Sequence, residues 1–114
     1  DAMARGLHVN FHQDTPVTRP DMMHSVWCAV NRISRRGNVI GEDQKISVYD
    51  ALRAVTIEGV YEYFEEDSKG TIEAGKRADL VILDESPLDV PENEIRNIRV
   101  HQTIKDGITV YERK

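Results

Sequence analysis

The sequence has little or none of several features that usually decide a protein's class. It holds a single cysteine, Cys28, so no disulfide can form within the chain, and this usage is typical of a reducing compartment. No run of about 18 apolar residues is present, which argues against a membrane-spanning helix. No basic stretch leads into an apolar one, as it would in a signal peptide. We therefore expect a cytoplasmic location and no membrane partner.

The sequence also lacks the motifs of several large enzyme classes. It has no Gly-rich phosphate loop, no Cys-x-x-Cys pair, no nucleophile elbow and no His-Glu-x-x-His zinc motif. Aromatic residues make up only 6% of the chain, and its net charge is −5. The short basic cluster at 32–37 is therefore interpreted as a solvated loop, and no nucleic-acid partner is expected.

What the chain does contain is an alternating stretch at residues 7–14. The polar positions are His8, Asn10, His12 and Asp14. Alternate side chains of a strand share a face, so the pattern predicts a β-strand with one apolar and one polar face. The strand should end at Thr15-Pro16, since proline fixes φ and restricts the residue before it. A carboxylate at the C-terminal tip of a strand is typical of sites at the mouth of an α/β barrel, although 114 residues are too few for a whole barrel.

Helical patterns follow the predicted strand. Apolar residues at three- and four-residue spacing over 22–33 predict an amphipathic helix, with Thr18 as its N-cap. This helix contains Cys28, for which a buried, unreactive thiol is expected. A capping box at Ser47 and Asp50 predicts a second helix, which Gly59 should break or bend before a short helix at 60–64.

From Lys69 onward the composition indicates β structure. The apolar run at 80–83 predicts a strand buried on both faces, flanked by Asp79 and Asp84 in structural hydrogen bonds. Asp106-Gly107 between two β-rich runs predicts a hairpin. The resulting division is one strand plus helices over residues 1–67 and a small β layer over residues 68–114.

His12 and Asp14 are the candidate chemistry-bearing pair. Imidazole and carboxylate both bind zinc, and a carboxylate beside a metal-bound water can take its proton. Two ligands are fewer than the three usual at a catalytic zinc, and the sequence shows no second cluster. From spacing alone, Asp14 is either a turn residue or an acid–base catalyst.

Two sequence blocks carry a resemblance to a known family. The first is Asn10-Phe11-His12-Gln13-Asp14-Thr15-Pro16-Val17, which is followed by a helix at 25–32. The second is Gly70-Thr71-Ile72-Glu73-Ala74-Gly75-Lys76-Arg77-Ala78-Asp79-Leu80-Val81-Ile82-Leu83-Asp84. Together they resemble the C-terminal part of the metal-dependent amidohydrolases (amidohydrolase family 3), in the branch that includes exoenzyme regulatory protein-like hydrolases. The similarity extends over essentially the whole chain.

The resemblance implies an α/β fold made of two parts. Residues 1–67 would be the last strand and helices of a (β/α)₈ barrel, and residues 68–114 a segment of a composite β-sandwich ending in the hairpin. Asp14 matches the family's aspartate after the last barrel strand, which binds metal and shuttles a proton while a metal-activated hydroxide attacks a non-peptide C–N bond. His12 is a pocket-lining candidate without a fixed role.

The same resemblance implies that the chain is a fragment of a larger enzyme. The family's first-strand His-x-His, bridging lysine and later histidines are missing here. The parent would bind a divalent metal, zinc, and a small-molecule amide or cyclic amide, whereas the fragment alone is expected to be inactive and to hold no cofactor. The alternative is a non-enzymatic regulatory or interaction module, in which open strand edges favour a homodimer.

Overall fold

A computed structural model describes residues 2–114, which form a mixed α/β structure. Its helices are α1 (Met22–Asn31), α2 (Val48–Ala54) and α3 (Ile57–Glu62), and its strands are β1 (Leu80–Leu83), β2 (Val100–Lys105) and β3 (Ile108–Glu112). Short 3₁₀ segments occupy Met3–Arg5, Glu42–Gln44 and Glu92–Asn97. The α/β class is confirmed at this level. No helix within residues 2–114 has the length and apolarity to cross a bilayer.

The predicted opening strand is wrong. Residues 7–13 are not in a strand, and no backbone hydrogen bond within residues 2–114 joins positions 8–13 to a neighbouring strand. Alternation of side chains is not sufficient, because a strand also needs partners for its N–H and C=O groups. Side chains hold the end of the segment instead. The Gln13 amide donates to Ser25 Oγ at 2.7 Å, and the Thr18 hydroxyl donates to the Gln13 carbonyl at 2.6 Å.

Helix α1 begins with Asp21 as its N-cap rather than the predicted Thr18. The Asp21 carboxylate accepts a hydrogen bond from the His24 N–H at 3.1 Å, and its backbone is extended, as N-caps require. Thr18 is unavailable because its hydroxyl bonds to Gln13. The predicted apolar stripe is confirmed. Its buried members are Met23, Val26, Trp27 and Val30.

Helices α2 and α3 are separated at Val55 and Thr56, not at the predicted Gly59, which lies inside α3. The predicted capping box is present: Ser47 Oγ accepts from the Asp50 N–H at 3.0 Å and donates to the Asp50 carboxylate at 2.8 Å. Thr56 ends α2 because its backbone leaves the helical region and its hydroxyl donates to the Leu52 carbonyl at 2.8 Å. A side chain thus satisfies one of the carbonyls left open at the end of α2.

The three strands form one antiparallel sheet in the order β1-β2-β3. The predicted hairpin is confirmed, and both Asp106 (φ 52°) and Gly107 (φ 79°) have the positive φ values that a type I′ turn uses. The predicted strand β1 is also present, but its burial on both faces is wrong. Val81 and Ile82 point to opposite faces and are 54% and 43% exposed, so neither face of β1 is fully covered within residues 2–114.

Asp79 and Asp84 fix the ends of β1, as predicted. The Asp79 carboxylate accepts from the Asp106 N–H at 2.8 Å, and that of Asp84 accepts from the Arg99 N–H at 2.9 Å. The bond from Arg99, assisted by the positive charge of Arg113, holds the pKa of Asp84 below its usual value. Both carboxylates therefore serve to attach β1 to the hairpin.

The core lies between α1, α2 and the 3₁₀ segment Glu92–Asn97. Its buried members are Met23, Val26, Trp27, Val30, Ala51, Ile95 and Ile98. Polar bonds reinforce this packing: the Trp27 indole N–H donates to the Asn93 carbonyl at 3.0 Å, and the Asn31 amide donates to the Glu92 carbonyl at 2.9 Å. Residues of both predicted segments therefore share this core. The division at 67/68 stays a prediction.

Replacing Ile95 by alanine should destabilise the protein strongly, because Ile95 is completely buried. We expect the free energy of unfolding to fall by about 2–5 kcal/mol, the usual cost of a cavity plus lost apolar burial. Urea denaturation monitored by circular dichroism measures this loss. Ile108→Ala is the matched control, since Ile108 is 69% exposed on β3 and its truncation should cost about 0.5 kcal/mol or less. Equal losses for the two variants would contradict the assigned core.

Candidate active site

Asp14 lies at the beginning of an exposed turn, residues 14–17. Its φ of 52° is in the left-handed region that aspartate tolerates better than most residues. Its N–H donates to Nδ1 of His12 at 2.7 Å, and its carbonyl accepts from the Val17 N–H at 2.8 Å. Within residues 2–114, no hydrogen bond or ion pair engages the Asp14 carboxylate. The backbone of Asp14 is thus fixed by the turn, while its side chain is exposed.

His12 is exposed and lies between two surface depressions. The first, of about 490 Å³, brings His12 together with His24, Cys28 and Arg32. The second, of about 560 Å³, lies between His12 and residues of α2 and α3, including Glu62. Asp14 does not line either depression. Because its Nδ1 accepts from the Asp14 N–H, a neutral His12 carries its proton on Nε2 and can offer it to a ligand.

A second polar group, which was not predicted from the sequence, holds the N-terminal end of residues 7–13, away from the Asp14 turn. Glu58 on α3 is only 8% exposed, and its two carboxylate oxygens contact different partners. One bonds to Nδ1 of His8 at 2.5 Å, and the other accepts from the Arg53 guanidinium at 2.6 Å. The His8 ring stacks on Tyr61, with 3.8 Å between centroids. Glutamate is rarely buried, so composition did not single out Glu58.

One turn further along α3, Glu62 also bonds to the opening stretch of the chain. The amide of Asn10 donates to Glu62 Oε2 at 2.5 Å. The sequence did contain a signal for this pair of contacts. His8 and Asn10 are alternate polar positions of the opening stretch, and Glu58 and Glu62 are four apart in a helix, where they share a face.

Cys28 is exposed, contrary to the prediction of a buried thiol. Its Sγ lies 3.6 Å from Nε2 of His24. Partial burial nevertheless raises the pKa of the Cys28 thiol, and the positive charge of Arg96 lowers it by less. A raised pKa reduces the thiolate fraction at neutral pH, which agrees with the expectation of an unreactive cysteine.

His12 and Asp14 do not form a metal centre by themselves. No group of three or more His, Cys, Asp or Glu side chains suited to one ion occurs within residues 2–114. The imidazole and carboxylate are donors that zinc accepts, but a catalytic zinc takes three protein ligands. The described donor set is therefore incomplete for such an ion.

Comparison with known proteins decides the family. The sequence pattern of the Amidohydrolase family matches residues 1–111. The chain belongs to the amidohydrolase family. N-substituted formamide deformylase from Arthrobacter pascens is 34% identical to this amidohydrolase chain over 108 residues, which are 95% of the chain and 20% of that enzyme. Imidazolonepropionase from Streptococcus sanguinis is 33% identical over 63 residues, or 55% of the chain and 15% of that protein.

A solved structure agrees with the sequence matches. The crystal structure of an amidohydrolase from Thermotoga maritima superposes with a TM-score of 0.68 at 25% identity, covering 97% of this chain and 24% of that one. The family inferred from the two sequence blocks is thereby confirmed. The amidohydrolase chain spans about a fifth of the length of the deformylase and about a quarter of the Thermotoga protein.

The raised pKa of Cys28 predicts slow alkylation of this amidohydrolase chain. At pH 7.5, iodoacetamide should modify Cys28 more slowly than it modifies the cysteine of an unstructured peptide, because only the thiolate reacts. The rate should keep rising with pH beyond the point at which the peptide rate levels off. Mass spectrometry of quenched samples gives both rates. A rate for Cys28 equal to or above that of the peptide would contradict the direction of the shift.

Proposed function

We propose that this chain forms the C-terminal part of a hydrolase that cleaves non-peptide C–N bonds, with Asp14 as its proton shuttle. The observation that carries the proposal is the family match over residues 1–111. The local geometry is compatible with it, since a proton-accepting carboxylate must be accessible to the attacking water. Asp14 has a turn-fixed backbone and an unengaged, exposed carboxylate.

In the proposed reaction, the Asp14 carboxylate removes a proton from the attacking water. The water oxygen bonds to the carbonyl carbon of the substrate, which gives a tetrahedral intermediate. Asp14 then returns the proton to the substrate nitrogen as the C–N bond breaks, so the amine leaves neutral and the carboxylate is regenerated. A divalent ion, zinc in our proposal, would acidify the water and polarise the carbonyl. Asp14 would supply one of its oxygen ligands, and the remaining ligands would come from outside this chain.

The substrate class follows from the relatives. One relative is named for N-substituted formamides and another is an imidazolonepropionase. We infer a small amide or cyclic amide as the substrate of the longer protein. The exposed ring of His12, which lines two depressions beside the Asp14 turn, is the proposed pocket-lining contact.

Asp14→Asn in the longer protein that contains this chain tests the proposal. The amide cannot accept a proton, so kcat on N-substituted formamides or cyclic amides should fall by about 10²- to 10⁴-fold. Asp43→Asn is the control, because the Asp43 carboxylate accepts from its neighbour Gln44 in an exposed 3₁₀ segment and lines none of the depressions beside His12. Unchanged turnover in Asp14→Asn, with wild-type activity in the control, would remove the catalytic role. The 114-residue chain alone should show no turnover.

A second candidate role, an interaction module that pairs with another copy, is favoured by the state of β3. This strand forms one edge of the sheet, and all of its residues are exposed. Ile108, Val110 and Tyr111 are apolar side chains on that edge, with 49–69% of their surface accessible. An uncovered edge offers unpaired N–H and C=O groups to a second strand, and two copies of the same edge can close as a symmetric pair.

Light scattering after size exclusion tests this pairing. The wild-type chain should elute as a dimer, and Val110→Lys should shift it to the monomer, because an edge lysine opposes strand pairing. Val39→Lys is the matched control, since Val39 is 49% exposed and lies away from the sheet. A wild-type chain that stays monomeric at the highest soluble concentration would contradict the pairing role.

A further inference from the structure

Two side-chain bonds from the opening segment to α3 have matching spacing. In an extended chain, residues two apart are separated by about 6.5–7 Å, and in a helix residues four apart are separated by about 6 Å. The contacts His8–Glu58 and Asn10–Glu62 follow this relation. Both bonds are present together, with His8 opposite Glu58 and Asn10 opposite Glu62, one helical turn further along α3.

The burial of Glu58 makes this arrangement specific. A carboxylate that is 8% exposed needs partners for both of its oxygens, and here His8 and Arg53 supply them. Glu58 and Glu62 also repel each other as like charges four apart in a helix. The positive charge of Arg53 and the donors on His8 and Asn10 offset that repulsion. Stacking of His8 on Tyr61 adds an aromatic contact at the same place.

A change of register would lose the contacts that His8 and Asn10 make with α3. Moving the segment by one residue would bring Leu7 and Val9 against the two carboxylates in place of His8 and Asn10. Backbone pairing cannot prevent such a shift, because positions 8–13 make no strand-type bonds within residues 2–114. The bond between Gln13 and Ser25 anchors only the far end.

We propose that α3 is a positioning element, which sets the register of residues 7–14 through Glu58 and Glu62 and thereby places His12 and Asp14. The register itself is a property of this chain. Its catalytic consequence rests on the proposed function, so the two need separate measurements.

The register is tested by NMR on the full 114-residue chain. Backbone order parameters of residues 8–13 should be near 0.85 in the wild type and fall below about 0.6 in the double variant Glu58→Ala/Glu62→Ala, while α1 stays ordered. Glu65→Ala is the control, since the Glu65 carboxylate pairs with Lys69 at 2.6 Å and not with the segment. Unchanged order in the double variant would overturn the proposal.

Single changes at the exposed Glu62 keep the test valid if the double variant does not fold. Glu62→Gln should keep the order parameters of residues 9–12 near their wild-type values, because its amide oxygen can accept from Asn10 as the carboxylate does. Glu62→Ala should loosen residues 9–12. Equal loosening in the two variants would overturn the role of this hydrogen bond.

Kinetics of the longer protein test the catalytic consequence. Glu58→Ala/Glu62→Ala should lower kcat by about 10- to 100-fold, the scale of a misplacement of about 1 Å, with a smaller change in KM. Order lost with kcat unchanged would overturn the positioning role. If Asp14→Asn leaves turnover intact, the proposed function fails, and so does the claim that α3 affects catalysis. The order parameters still decide whether α3 sets the register.

Discussion

The packing of α1 against residues 92–98 is the interaction on which the rest of this structure depends. Val26 and Ile95 are completely buried in this packing. A hydrogen bond from the Trp27 indole N–H to the Asn93 carbonyl also joins α1 to the 3₁₀ segment. Because α1 is held in this way, Ser25 is a fixed anchor for Gln13, and the start of the exposed turn has a defined place. The end of the segment next to Asp14 is thus attached to the core through α1.

Groups that lack partners within residues 2–114 explain most of the departures from expectation. The opening segment alternates as a strand should but has no neighbouring strand to bond, and β1 is apolar on both faces but stays partly exposed on each. In each case the side-chain pattern satisfies one requirement of the predicted element while the long-range partner is absent. Whether a distant segment will bond to an element or cover it cannot be evaluated from a short window of sequence.

Local chemistry, by contrast, was predicted well. The Ser47 capping box, the Asp106-Gly107 hairpin and the apolar stripe of α1 depend on residues at most a few positions apart, and each is present. Two local predictions were nevertheless wrong. Thr56 rather than Gly59 ends α2, because a threonine hydroxyl competes for helix carbonyls, and Asp21 replaced Thr18 as a cap. In both places, two neighbouring residues could serve and only the packed structure decides between them.

Asp14 was singled out as the candidate acid from the sequence, whereas the residues that hold its segment were not. Asp14 came from its position before Thr15-Pro16 and from the family resemblance, both of which are visible in the sequence. Glu58 was not predicted, because its burial and its contacts with His8 and Arg53 arise only in the folded structure. Those two residues are 50 and 5 positions away from it.

This difference follows from what each group must do. In the proposed role, the Asp14 carboxylate has to stay accessible to water and substrate, whereas the groups that place it have to be bonded and rigid. Here the two demands are met by different residues. Glu58 and Ser25 hold the two ends of the segment, and the His12 ring fixes the backbone of Asp14 without occupying its carboxylate. The exposed carboxylate of Asp14 therefore belongs to a segment that hydrogen bonds hold at both ends.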